Sequence, residues 1–241
     1  LVKTMTYIAK RNNAVNTLEG IYALFDTAMA AFPFACAEQC SDCCTCNVTA
    51  TGLEIAYIQD RLDAGALDDI RVRVAARAGQ TQRFRPFQTT NGFAQACMEG
   101  RDADEEENDP SWGNCPLLED GICSIYPVRP LGCRVMMSTT PCRQTGQADM
   151  PLLALTITTV FMQFVEHLDA GGVYGSFLDL LEYAGKNDLG CKRLPEKDKI
   201  LGTTQNLKIP ALMIPPEHVE KTRNLVGSLR SLIQDNDSPS T

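Results

Sequence analysis

Ile8, Val15, Leu18, Tyr22, Phe25 and Met29 recur at three- and four-residue intervals and form one apolar stripe, which predicts a helix over 4–32 that stops at Pro33. Thr51-Gly52-Leu53-Glu54 is a capping box and opens a second helix carrying Leu53, Ile55, Ala56, Ile58 and Leu62. A third is expected from Leu67 to Ala78, ending at Gly79. Residues 80–98 have no decisive period, and 99–114 are acidic, polar and broken by Gly and Pro, as in a loop. Pro151 opens a long apolar helix stopped by Gly171-Gly172, and Gly175 to Tyr183 starts another, with Phe177, Leu178, Leu180 and Leu181. Residues 185–216 read as a polar excursion over the surface. Pro215-Pro216-Glu217 begins a last helix to about Gln234, with Val219, Leu225, Val226, Leu229, Leu232 and Ile233 on its stripe. The tail Asp235 to Thr241 should fray. Neither an internal repeat nor strand–helix alternation is present. The predicted fold class is mainly α, with helices packed around irregular cysteine-rich metal-binding loops. Its parts are an N-terminal helix (1–33), a cysteine-cluster domain (34–143) and a C-terminal helical part packed on it (150–235).

Composition narrows the function. In 241 residues, 22 Lys and Arg against 30 Asp and Glu give a net charge of −8, which argues against a nucleic-acid partner. Most of this excess lies in 101–110, where Asp102, Asp104, Glu105, Glu106, Glu107 and Asp109 face only Arg101, as in a solvated loop. Pro151 to Val165 is the most apolar stretch, yet it contains Thr156, Thr158, Thr159 and Gln163 and is too short to span a bilayer. No secretory signal is visible near Lys3, Lys10 and Arg11, so a cytoplasmic location away from membranes is expected.

Cysteine is the outlier. Of 11 cysteines, 9 fall within 36–46 and 115–142. A chain of this size needs no disulfide staples, and adjacent Cys43 and Cys44 could not bond without severe strain. The first cluster is Cys36-x3-Cys40-x2-Cys43-Cys44-x-Cys46, and the second is Cys115-Pro-x6-Cys123-x9-Cys133-x8-Cys142. Short spacers let thiolates converge, and soft thiolates select zinc, copper(I) or iron–sulfur clusters. The only histidines, His167 and His218, lie in predicted helices away from both clusters, so an all-cysteine site is expected on Cys36, Cys40, Cys43, Cys44, Cys115, Cys123, Cys133 and Cys142. Eight thiolates exceed one tetrahedral site, and the side chains of Cys43 and Cys44 should diverge toward different metal atoms. Two zinc ions, two clusters, or one cluster with reactive thiols all fit. Cys97 and Cys191 stand alone and read as small buried hydrophobes.

Phe34 ahead of the first cluster and Val48-Thr49-Ala50-Thr51-Gly52-Leu53-Glu54-Ile55 after it resemble the CxxCxxCC cysteine-cluster proteins (YkgJ type), described as zinc- or iron-chelating. The run from Cys115-Pro116 through Gly121-Ile122-Cys123, Ile125-Tyr126, Arg129-Pro130 and Cys133-Arg134 is similar to the second half of that family. The likeness covers roughly 34–143, and the first spacer is one residue longer than the family name implies. It implies a metal-chelating domain. A more distant likeness to flagellin lysine methylase implies an iron–sulfur cluster with S-adenosylmethionine.

Arg129 and Arg134 lie beside cysteines and would offset thiolate charge as supporting cofactor-binding residues. Tyr126 reads as packing. Cys36-x3-Cys40-x2-Cys43 is also the spacing of radical S-adenosylmethionine enzymes, but Asp42 precedes the last cysteine, Cys44 follows it, and the strand–helix repeat of a barrel is missing. Dinucleotide, P-loop, zincin and α/β-hydrolase motifs are absent. The expected function is therefore an iron–sulfur protein for redox or methyl-transfer chemistry, acting on an undefined protein or small molecule. The alternative is a structural zinc protein serving as an interaction module. The sparse apolar content of 115–143 further predicts that metal binding and folding are coupled there.

Overall fold

Pro33 decides where the first helix ends. Its ring would collide with the carbonyl of residue 29 and disfavours helical geometry at Phe32, so α1 is Val2–Met29, three residues short of the expected end. In this computed structural model the described residues are 2–37, 39–78, 82–102, 106, 108–184 and 202–237, with side chains from 10 to 234. The Ile8 side chain of the stripe, Gly79, Cys191 and the tail from 238 lie outside that set. Val15, Leu18, Tyr22, Phe25 and Met29 are buried as the period requires.

The capping box opens α2 (Gly52–Arg61): the Glu54 N–H donates to Thr51 Oγ1 at 3.2 Å, and the Thr51 N–H donates to Glu54 Oε2 at 2.7 Å. α3 (Ala64–Ala78) starts earlier than expected because Asp63 Oδ1 caps the Ala66 N–H. Thr89 caps α4 (Thr90–Met98), which resolves part of the ambiguous 80–98 stretch. The remaining helices are α5 (Leu131–Arg134), α6 (Cys142–Thr145), α7 (Leu152–Leu168), α8 (Phe177–Ala184) and α9 (Val219–Asp237). The fold is mainly helical. α1 packs on α2, α7 and α9, and Phe25 meets Phe161 edge-on at 5.1 Å between centroids. No described helix is long and apolar enough to cross a membrane.

Three corrections concern strands and a loop. β1 (Thr49–Thr51), β4 (Val173–Ser176) and β5 (Thr204–Gln205) form an antiparallel sheet in the order β1-β4-β5. Gly175 therefore belongs to a strand and not to a helix start. Its lack of a side chain admits Thr203, whose Cγ2 would lie 2.8 Å from an added Cβ. Second, β2 (Leu118–Glu119) and β3 (Ile122–Cys123) form a hairpin inside the second cysteine segment. Asp120 (φ 50°) and Gly121 (φ 82°) make its two-residue turn. Third, of the expected surface excursion at 185–216, residues 202–216 are described, and they include the buried Asn206. Asn206 donates to Asp169 Oδ2 at 2.8 Å and to the Val173 carbonyl at 2.9 Å.

One buried carboxylate fixes the site to this frame. Glu54 accepts from Tyr22 Oη at 2.8 Å and from the Leu131 N–H at 2.6 Å, tying α1, α2 and α5 together. Leu117, Ile125, Val128 and Leu131 of the second cysteine segment insert into the common core, whereas Ile122 is exposed.

Candidate metal centre

The segment 36–46 has different neighbours along its length. Its first part faces 136–143: the Ala35 N–H donates to the Ser138 carbonyl at 2.8 Å, the Ser138 N–H points at Cys36 Sγ at 3.3 Å, and Cys43 Sγ lies 4.0 Å from the Met136 carbonyl. An ion pair between Arg143 and Asp42, at 2.8 Å, closes this side. Its last part faces 113–115. The Cys115 N–H donates to the Cys44 carbonyl and the Cys46 N–H to the Gly113 carbonyl, both at 2.9 Å, and Thr45 bridges to Asn114. The two cysteine clusters are therefore stitched together by main chain.

Seven of the eight expected ligands, Cys36, Cys40, Cys43, Cys44, Cys115, Cys123 and Cys133, line one cavity of about 200 Å³. Its other walls include Phe34, Val48, Leu117, Ile125, Met137 and Phe177. Cys142 lies in an adjoining hollow that shares Cys36 and Cys40. None of the ten described cysteines is disulfide-bonded. Among the described residues, no three His, Cys, Asp or Glu side chains stand close enough together to hold a metal ion as they lie. The thiols surround a space and do not converge on a point.

Burial pushes the Cys115 thiol up to about 11 and the Cys133 thiol well above its ordinary value. Burial also raises Cys36 and Cys123. Backbone hydrogen bonds oppose it, from Ser138 to Cys36, Leu117 to Cys115 and Ile125 to Cys123. Such bonds favour thiolate. Cys43 and Cys44 share a hydrogen bond that raises the first and lowers the second, so the expected divergence of these two side chains is not observed. Their wider surroundings do differ. Cys44 feels Cys133, Cys115 and Cys123, whereas Cys36 feels Cys40, Cys43 and Cys142.

The two arginines part company. Arg134 is buried and committed to structure: Nη1 pairs with Asp26 at 3.0 Å, Nε and Nη2 donate to the carbonyls of Arg129 and Pro127, and the group lies over Tyr22. Arg129 stacks on Tyr126 at 3.6 Å and lowers the Cys123 and Cys133 pKa values against their burial. It has no carboxylate partner among the described residues. Tyr126, read as packing, is thus an exposed platform for Arg129.

Cys46 is buried but turned away, with Sγ 3.2 Å from the Gln82 carbonyl. Cys97 is exposed on α4, not buried as a lone hydrophobe would be. His218 Nδ1 meets Thr156 Oγ1 at 2.8 Å and His167 Nδ1 accepts from the Ile209 N–H at 3.0 Å, both outside the cysteine cavity. Sequence reasoning did not single out the Met136 and Met137 wall or the Ser138 N–H, because nothing in the chain's spacing marks them. No family model, curated protein or solved structure matches the chain.

Proposed function

We propose that this chain is a metal-binding protein that holds an iron–sulfur centre on its clustered cysteine thiolates, for redox or methyl-transfer chemistry. The observation that carries this reading is the single cavity walled by seven cysteines and otherwise largely apolar. A lone zinc ion draws four thiolates to about 2.3 Å from one point. Thiols set around a space suit a bulkier inorganic core, and iron–sulfur clusters take four cysteines each. When bound, such a group supplies one-electron chemistry. The chain's own residues supply the rest. The apolar walls limit water, the N–H groups of Ser138, Leu117 and Ile125 favour thiolate, and Arg129 offsets negative charge beside Cys123 and Cys133.

The packing of Leu117, Ile125, Val128 and Leu131 into the core, with the Arg134–Asp26 pair, gives the second cysteine segment anchors that need no metal. This favours a working centre over a purely structural one. S-adenosylmethionine or another small molecule would have to enter past Tyr126, Arg129 and Met136 at the cavity wall. The test is anaerobic reconstitution with ferrous iron and sulfide, followed by electron paramagnetic resonance of the reduced protein. A cluster signal diminished in Cys115→Ser supports the reading. A colourless protein that takes up zinc and never iron with sulfide would replace it with a structural metal.

A further inference from the structure

We infer that the eight cysteines form two adjacent four-cysteine centres, an outer set of Cys36, Cys40, Cys43 and Cys142 and an inner set of Cys44, Cys115, Cys123 and Cys133. This rests on the metal–thiolate reading above and adds the number and membership of the centres.

The contacts that hold the first cluster change partner between Cys43 and Cys44, although the two thiols still hydrogen-bond each other. Up to Cys43, the first cluster is held to 136–143 by the Ala35–Ser138 and Ser138–Cys36 hydrogen bonds and the Asp42–Arg143 ion pair. From Cys44 on, it is held to 113–115 by the Cys44–Cys115 bond and the Thr45–Asn114 bridge. Cys142 and Cys36 thus arrive from one pair of strapped segments, and Cys44 and Cys115 from the other. The hairpin of β2 and β3 returns Cys123 beside Leu118, and α5 brings Cys133 in from beneath. Cys142 shares its hollow with Cys36, Cys40 and Asp42 beside Cys43, and with none of the inner four, while Cys36, Cys40 and Cys43 also reach the cavity of the inner set.

Four thiolates complete either a two-iron or a four-iron cluster, so each set is a closed donor set. The sets differ in access. Cys36 and Cys40 are exposed, whereas Cys115, Cys123 and Cys133 pack against the buried core that includes Leu117 and Ile125. The outer centre is the one that solvent, chelator and oxygen reach first.

The probe is ferrous iron with sulfide, loaded anaerobically into the full chain. In Cys40→Ser/Cys142→Ser and in Cys123→Ser/Cys133→Ser, iron and sulfide per chain should each fall by the content of one centre, and the two losses should sum to the wild-type value. Chelator should remove the outer share first. Because a double variant can fail to fold, the wild type is also alkylated at half loading and mapped by mass. Protected cysteines should fall into the two named sets. If protected sets mix members, such as Cys36 with Cys133, or if either double variant with wild-type helix content loses all its iron, the division is overturned while the cluster reading stands. If no iron and sulfide bind, both fail.

Discussion

The Cys115 N–H donates to the Cys44 carbonyl at 2.9 Å, joining two cysteines 71 positions apart in the chain. The bond is made by main chain, so the two clusters are linked by contacts other than metal ligation as well.

Arg129 acts on the Cys123 and Cys133 sulfurs and, among the described residues, has no carboxylate of its own. Arg129→Gln should lower the reduction potential of a centre there, because the oxidised form loses less favourable charge compensation than the reduced form. Helix content should be unchanged. Protein-film voltammetry reads the shift, and an unchanged potential would remove Arg129 from the site.

Glu54→Ala leaves the Thr51 N–H, the Leu131 N–H and Tyr22 Oη without their acceptor in the interior. A buried group stripped of its partner costs about 1–3 kcal/mol, so urea unfolding should show a loss on the order of 3 kcal/mol or more. A change below about 1 kcal/mol would mean that α5 is held by other contacts.

A Cβ at Gly132 would meet the Thr49 carbonyl and stand 2.9 Å from Val48 Cγ1. Gly132→Ala should therefore push α5 off β1, destabilise by about 1–3 kcal/mol and displace Cys133. Reduced stability together with reduced iron uptake is the expected pair of results. Normal uptake would show that the strand yields instead.

Burial raises the Asp169 carboxyl to about 8 from a usual value near 3.9, and Oδ1 has no hydrogen-bond partner among the described residues. A folded-state pKa above the unfolded one means that the folded chain binds more protons between these values. The contribution to stability is full below about pH 4 and is lost as pH rises toward about 8. Metal-free protein should thus lose stability from pH 5 to pH 8. Asp169→Asn, which keeps an acceptor for Leu53 and Asn206, should flatten that slope in pH-resolved denaturation. An unaltered slope would assign the effect to Glu54 or Glu166, whose carboxyls burial also raises.

Metal removal should leave the helix signal largely intact. Trypsin should then cut first after Arg143, which is exposed and pairs with Asp42, while buried Arg134 resists. Arg129 precedes Pro130, a poor tryptic site. Early cutting at Arg134 would show that metal, and not the core anchors, holds α5.

The sequence was most readable where one period dominates. α1, α2, α7 and α9 follow their apolar stripes, and α2 its capping box, because burial of one face decides them, although Val219 of the α9 stripe is exposed. β1, β4 and β5 have two to four residues each, too few for alternation to register, and Gly175 mimics a helix boundary. The Asp120-Gly121 turn was a readable hairpin signal that the density of Pro and Gly obscured. At the site, spacing identified the cysteines that line the cavity, but not their partners. The roles of Arg134 and Arg129 depend on Asp26 and Tyr126, and only the fold brings Asp26 near Arg134.

The central claim is that these thiols hold an iron–sulfur centre, and iron with acid-labile sulfide per chain in anaerobically purified protein tests it most directly. The account predicts a brown protein with iron and sulfide in equal amounts, both diminished by Cys115→Ser and Cys133→Ser and unaffected by Cys97→Ser. A colourless chain with neither iron nor sulfide, which stays so after reconstitution, would contradict it.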